Sequence, residues 1–125
     1  EYPGHYWHHA LSECNSAAKS AGLPCMDGPY ADIDDPDGFR TSAVNANMLG
    51  CDGKWAIHPS QIEIGNEVFA PDPDVAERAE RIVDAYAEAM EEGKGAVSVD
   101  GQMVDEATNK MAQDIVAKAR AAGIL

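Results

Sequence analysis

The sequence has 125 residues, enough for one small domain, and 45% of them are hydrophobic, an ordinary globular proportion. Asp and Glu number 22 against 9 Lys and Arg, giving a net charge of -13 spread along the chain, and such a field repels phosphate backbones and anionic membranes, so nucleic acid is not an expected partner. No apolar run reaches the ~18 residues of a membrane span.

The opening residues, Glu1-Tyr2-Pro3-Gly4-His5, lack the charge and apolar core of a signal peptide, so a cytoplasmic protein is expected. Dispersed acidity on a globular pattern suits a salt-rich cytoplasm, where ionic strength screens self-repulsion, and a halophilic source is expected. Cys14, Cys25 and Cys51 are odd in number, widely spaced and without a CxxC pair. They argue against a disulfide framework or zinc ribbon and read as small buried hydrophobes.

Residues 6–21 favour a helix, with Ala10, Leu11, Cys14, Ala17, Ala18 and Ala21 in one stripe, and Gly22 and Pro24 stopping it. At its entry His5, His8 and His9 are spaced to place imidazoles on one face. No carboxylate or thiolate falls in register and the HExxH glutamate is missing, so solvated histidines are expected and no metal ligand is assigned. Pro24-Cys25-Met26, followed by Asp27-Gly28-Pro29-Tyr30, reads as a strand delivering into a turn. The acidic run Asp32, Asp34, Asp35, Asp37 lacks the later Glu of a calcium loop. Asp35-Pro36 reads instead as the N-cap and first residue of a helix carrying Phe39, Ala43, Val44, Ala46, Asn47 and Met48 up to Gly50.

Trp55-Ala56-Ile57 is a short apolar run that stops at His58-Pro59 and hands over to the helix-like Ser60-Gln61-Ile62-Glu63-Ile64, the pattern of a buried parallel strand followed by a helix. Residues just past such a strand lie at the mouth of an α/β fold, so Ile57, His58 and Pro59 are candidates for a ligand-facing edge. The alternative is that His58 only caps the turn. The two predicted strands, about thirty residues apart with a helix between, make a right-handed βαβ unit. Two parallel strands alone make no stable sheet, because each needs neighbours and helices on both faces, so the chain is expected to be the tail of something larger.

Ala70-Pro71-Asp72-Pro73 is a stiff linker and the predicted domain boundary, dividing residues 1–70 from 71–125. Asp74-Val75-Ala76-Glu77 resembles a capping box, opening a helix striped by Val75, Ala79, Ile82, Val83, Tyr86 and Met90, with Glu77 and Arg81 paired, and ending at Gly93. Two short runs flank Asp100-Gly101, the favoured two-residue hairpin turn. Asp105 then opens a final helix striped by Met111, Ala112, Ile115, Val116 and Ala119. This helix-hairpin-helix piece is small for a self-sufficient core and is expected to pack on another surface.

Three segments, Met26-Asp27-Gly28-Pro29-Tyr30, Gly53-Lys54-Trp55-Ala56-Ile57-His58-Pro59-Ser60-Gln61 and Gly101-Gln102-Met103-Val104-Asp105, resemble in order and spacing the C-terminal portion of malyl-CoA lyases, within the citrate lyase beta subunit-like (HpcH/HpaI aldolase) superfamily. The resemblance implies an α/β fold: the C-terminal part of a TIM (β/α)8 barrel in residues 1–70, then a lid domain in 71–125. It implies a lyase that reversibly cleaves malyl-CoA, or β-methylmalyl-CoA, to glyoxylate and acetyl-CoA, or propionyl-CoA. Mg2+ would be the cofactor, with its Glu and Asp ligands and the substrate Arg expected upstream. Ile57, His58 and Pro59 would touch the CoA thioester, and Asp105, reaching into a neighbouring subunit of a trimer or hexamer, would be the catalytic acid or base. Alternatives of the same superfamily are a citramalyl-CoA or citryl thioester lyase and a malyl-CoA thioesterase. An alternative of another class is a noncatalytic acidic interaction module.

Overall fold

The computed structural model describes residues 6–125, so the predicted part of His5 in a histidine face lies outside the described residues. The elements in order are α1 (His8–Ser20), β1 (Met26–Asp27), α2 (Pro36–Met48), β2 (Gly53–Lys54), a 3-10 turn (Pro59–Gln61), α3 (Ile62–Phe69), α4 (Pro73–Glu91), β3 (Val97–Val99), β4 (Gln102–Val104) and α5 (Glu106–Ala121). They form two compact units, Glu1–Phe69 and Ala70–Leu125.

In the first unit β1 and β2 are parallel, with Met26 opposite Gly53 and Asp27 opposite Lys54, and α2 connects them. The helix starts where a carboxylate can take its first free N–H groups: Asp35 accepts from the Gly38 N–H at 2.9 Å and Pro36 fills the first helical position. Phe39, Ala43 and Ala46 on one face of α2, together with Cys51, form the buried core.

Both strands differ from their predicted positions. β1 is Met26–Asp27 rather than residues 24–26, because Pro24 has no N–H for a ladder. β2 is Gly53–Lys54 rather than residues 55–57. The ladder begins with the Asp52 N–H donating to the Cys25 carbonyl and ends with the Trp55 N–H donating to the Asp27 carbonyl, where Gly28-Pro29 turns the partner strand away. The apolar run is consequently surface, Trp55 being 60% and Ile57 53% exposed.

The predicted stripe of α1 is also not its buried face. Leu11 and Ala18 are half-buried, Cys14, Ala17 and Ala21 are exposed, and the buried residue is Asn15. Its Nδ2 donates to the Leu49 carbonyl at 2.7 Å, tying α1 to the end of α2. Gly50, at φ +91, makes that approach possible, since a Cβ there would lie 2.7 Å from the same nitrogen. With the Asn15 side facing inward, Cys14 turns about 100° away to solvent. Only Cys51 of the three cysteines is buried, Cys25 being half-buried.

In the second unit α4 opens two residues before the predicted start, with Asp72 as N-cap, accepting from the Asp74 N–H at 2.9 Å, and Pro73 as first helical residue. Its buried face is Ala76, Ala79, Ile82, Tyr86 and Ala89, which leaves Val75 and Met90 about half exposed. Small residues win that face because α5 approaches with Ala112, Val116 and Ala119, and close helix packing selects small side chains. Met111 is likewise exposed. The hairpin pairs Val97 with Val104 and Val99 with Gln102, and its turn residues Asp100 and Gly101 have φ of 50 and 77, the type I′ conformation. Arg81 reaches Asp100 at 3.4 Å rather than Glu77, and Arg78 lies 3.6 Å from the same carboxylate. Ala79, Ile82, Tyr86, Val104, Ala112 and Val116 close one core.

Candidate functional site

The ends of β1 and β2 deliver two loops side by side, and polar side chains lock them. The side chain of Lys54 is 2% exposed; its Nζ sits 2.5 Å from Asp27 Oδ2 and donates to the Gly28 carbonyl at 2.8 Å. The same ammonium lies 5.9 Å from the centre of the Phe39 ring. Tyr30 packs edge-on against Phe39, and its hydroxyl donates to Asp35 Oδ2 at 2.7 Å. That bond and the nearby carboxylates hold the Tyr30 phenol above its usual range. Asp35 is held below its own by the Gly38 N–H and then the Tyr30 hydroxyl. Beside these groups opens a cleft of about 650 Å³, lined among others by His8, Asp27, Tyr30, Thr41, Asn45 and Lys54.

Ile57, His58 and Pro59 follow on the β2 side and do not line that cleft. All three are exposed. His58 caps the 3-10 turn: its Nδ1 accepts from the Ser60 N–H at 3.3 Å and lies 2.8 Å from the Ser60 hydroxyl. Because Nδ1 accepts, the ring proton of a neutral His58 belongs on Nε2, leaving an N–H donor for an acceptor oxygen. Capping and ligand-facing roles are therefore compatible, each using one ring nitrogen. The predicted catalytic residue, Asp105, belongs to the second unit. It caps α5, accepting from the Thr108 N–H at 2.8 Å and the Thr108 hydroxyl at 2.9 Å, and these two bonds hold its carboxyl below the usual range.

Sequence reasoning passed over Lys54, Asp27 and Gln61. Gln61 is only 2% exposed, its Oε1 accepts from the Ile57 N–H at 2.9 Å, and its Nε2 donates to the Tyr30 carbonyl at 3.0 Å. A lysine next to an apolar run and a polar residue at the start of a helix were the available signals. Neither reveals a partner some thirty residues away. Among the described residues no three His, Cys, Asp or Glu side chains gather to hold a metal ion. Asp27 is committed to Lys54, and Asp35 to a cap and a tyrosine.

The chain is 39% identical over 118 residues, 94% of its length, to the L-malyl-CoA/beta-methylmalyl-CoA lyase of Rhodobacter capsulatus. It is 39% identical over 119 residues to the malyl-CoA/beta-methylmalyl-CoA/citramalyl-CoA lyase of Chloroflexus aurantiacus, and 40% identical over 111 residues to a (3S)-malyl-CoA thioesterase of Cereibacter sphaeroides. The matches cover 37%, 33% and 39% of those proteins, so the chain spans between about a third and two fifths of the length of these curated relatives. Among solved structures, the CitE protein of Mycobacterium tuberculosis in complex with magnesium, acetoacetate and coenzyme A matches with a TM-score of 0.71 and 28% identity, over 96% of this chain and 45% of that one. A citrate lyase from Burkholderia xenovorans matches with a TM-score of 0.71 at 23% identity, over 98% of this chain and 39% of that one, a likeness of fold. No protein-family model matches the chain. In fold the chain is like the citrate lyase beta-like CitE proteins, an α/β arrangement. By sequence the chain is a homologue of part of proteins named malyl-CoA lyase and malyl-CoA thioesterase.

Proposed function

We propose that this chain is the C-terminal part of a lyase that cleaves malyl-CoA, or β-methylmalyl-CoA, reversibly to glyoxylate and acetyl-CoA, or propionyl-CoA. The observation that carries the reading is the 39% identity over 94% of the chain to a lyase of that name. In this reading the first unit supplies the last βα units of a TIM barrel, and Ile57, His58 and Pro59 form part of its mouth. The Nε2–H of His58 donates to an acceptor oxygen of the CoA thioester arm. The second unit is a lid that meets a neighbouring subunit of a trimer or hexamer.

As the hydroxyl gives up its proton to solvent and becomes the aldehyde oxygen of glyoxylate, the bond from its carbon to the α-carbon breaks, the electron pair stays on the CoA side as an enolate, and glyoxylate departs. The α-carbon then takes a proton. Asp105 exchanges it: in condensation its carboxylate removes a proton from the acyl-CoA, and in cleavage the acid returns it. The Thr108 bonds that hold Asp105 ionised favour the first of these roles in the resting state. The CitE complex supports magnesium as the cofactor, and the described residues here offer it no ligand set.

A malyl-CoA thioesterase is the second reading, favoured by the relative of that name at 40% identity. The full-length gene product incubated with malyl-CoA separates the two. Glyoxylate and acetyl-CoA in equal amounts support the lyase. Malate and free coenzyme A support the thioesterase, and no turnover of the thioester overturns both.

A further inference from the structure

The mouth loop after β2 has little apolar burial to hold it, since Trp55, Ile57 and Pro59 are all exposed. Besides the local cap of His58 on Ser60, the Gln61 side chain ties it to the facing loop. Gln61 occupies a site 2% exposed and uses both ends of its amide, accepting from the Ile57 N–H and donating to the Tyr30 carbonyl. Tyr30 is itself fixed, by its hydroxyl bond to Asp35 and by its ring against the buried Phe39. A rigid path thus runs from the core of α2 through Tyr30 and Gln61 to the backbone of Ile57, one residue before His58. Only a group that donates at one end and accepts at the other satisfies this site, because an amide N–H and a carbonyl face it from opposite sides.

We propose that Gln61 is a positioning residue that sets the His58-Pro59 turn against the Asp27–Tyr30 loop, so that affinity for an acyl-CoA thioester depends on it although it touches no ligand. This rests on the reading of Ile57, His58 and Pro59 as thioester contacts. The effect belongs to binding rather than chemistry, so KM moves and kcat stays.

Gln61→Glu and Gln61→Met in the full-length protein test it. A buried Glu keeps the acceptor, but when ionised it turns a carboxylate toward the Tyr30 carbonyl; protonated, it donates there as Gln61 does. Burial raises its pKa, so the protonated, bonded form returns as pH falls. At about pH 8 the KM of Gln61→Glu for malyl-CoA should exceed the wild-type value about tenfold, a loss on the scale of one or two hydrogen bonds. At about pH 5.5 the ratio to wild type at the same pH should fall to within about twofold, with kcat within about twofold throughout. Gln61→Met fills the space with neither bond and should show the raised KM at both pH values. A Gln61→Glu ratio that is the same at both pH values, or a Gln61→Met variant with wild-type KM, overturns the role. Wild-type protein that neither turns over malyl-CoA nor binds coenzyme A overturns the functional reading beneath it.

Discussion

The Ala70–Leu125 unit closes a contiguous apolar core from Ala79, Ile82, Tyr86, Val104, Ala112 and Val116, while the described residues of the Glu1–Phe69 unit bury one large apolar side chain, Phe39, among small ones and tie its loops with polar bonds. The difference follows from topology. An antiparallel hairpin between two helices lets neighbours in sequence cover each other's apolar faces. A parallel pair leaves both strands short of neighbours, and here Met26, Trp55, Ile57 and Ile62 stay half exposed or more. Order at the mouth is therefore electrostatic and directional, through Lys54 with Asp27 and Gln61 with Tyr30, whereas order in the second unit is set by packing.

The largest expected effect tests whether the packed unit also carries chemistry. Asp105→Asn in the full-length protein keeps the cap of α5, since Asn caps about as well as Asp, but removes the proton-transfer group. Turnover should fall about 10²- to 10⁴-fold while the melting temperature stays within a few degrees. Near-normal turnover would leave Asp105 as a cap only.

Core truncations come next. Phe39→Ala should cost the first unit about 3–5 kcal/mol and Ile82→Ala the second about 2–5 kcal/mol. Trp7 and Trp55 both lie in the first unit, so tryptophan fluorescence during urea unfolding reports that unit. Phe39→Ala should shift this transition and Ile82→Ala should leave it in place. Equal shifts by both probes would mean that the units unfold as one.

Lys54→Met probes the polar lock. It leaves Asp27 facing a place with no cation, and the destabilisation should be about 3 kcal/mol, at the low end for a broken buried pair because Asp27 keeps some solvent. Lys54→Met combined with Asp27→Leu should recover most of it. A single variant as stable as wild type would show that the pair is dispensable.

The smallest effect is with pH. Asp35 and Asp105 both titrate below the ordinary carboxylate value in the folded chain, so each contributes stability that is present above about pH 4 and lost as pH falls through the lowered value. Asp35 also holds Tyr30, so the first unit should respond more than the second. Circular dichroism in acid, with Asp35→Asn and Asp105→Asn compared, should show each variant losing its own part of the acid response.

Local chemistry was readable in the sequence and distant pairing was not. Asp35-Pro36 and Asp100-Gly101 act as the cap and the turn that their residue types dictate. The strand register escaped because two-residue strands carry no periodicity. On α4, hydropathy points to Val75 and Met90, but close packing against α5 prefers Ala76 and Ala89, and that preference appears only once a partner helix is present. The roles of Lys54 and Gln61 depend on partners across a folded crossover, and a linear pattern cannot supply them.

The grip of Arg78 and Arg81 on Asp100 has a mechanical side. It fastens the hairpin tip to the outer face of α4, Gln102 adds a further tie to Arg78 at 2.6 Å, and Val104 is seated in the core at the hairpin's other end. The hairpin is thus tied to α4 at its tip and seated in the shared core at its base. Asp105, the next residue, follows directly on this braced strand, and cutting the arginine tether should loosen Asp105 without touching it.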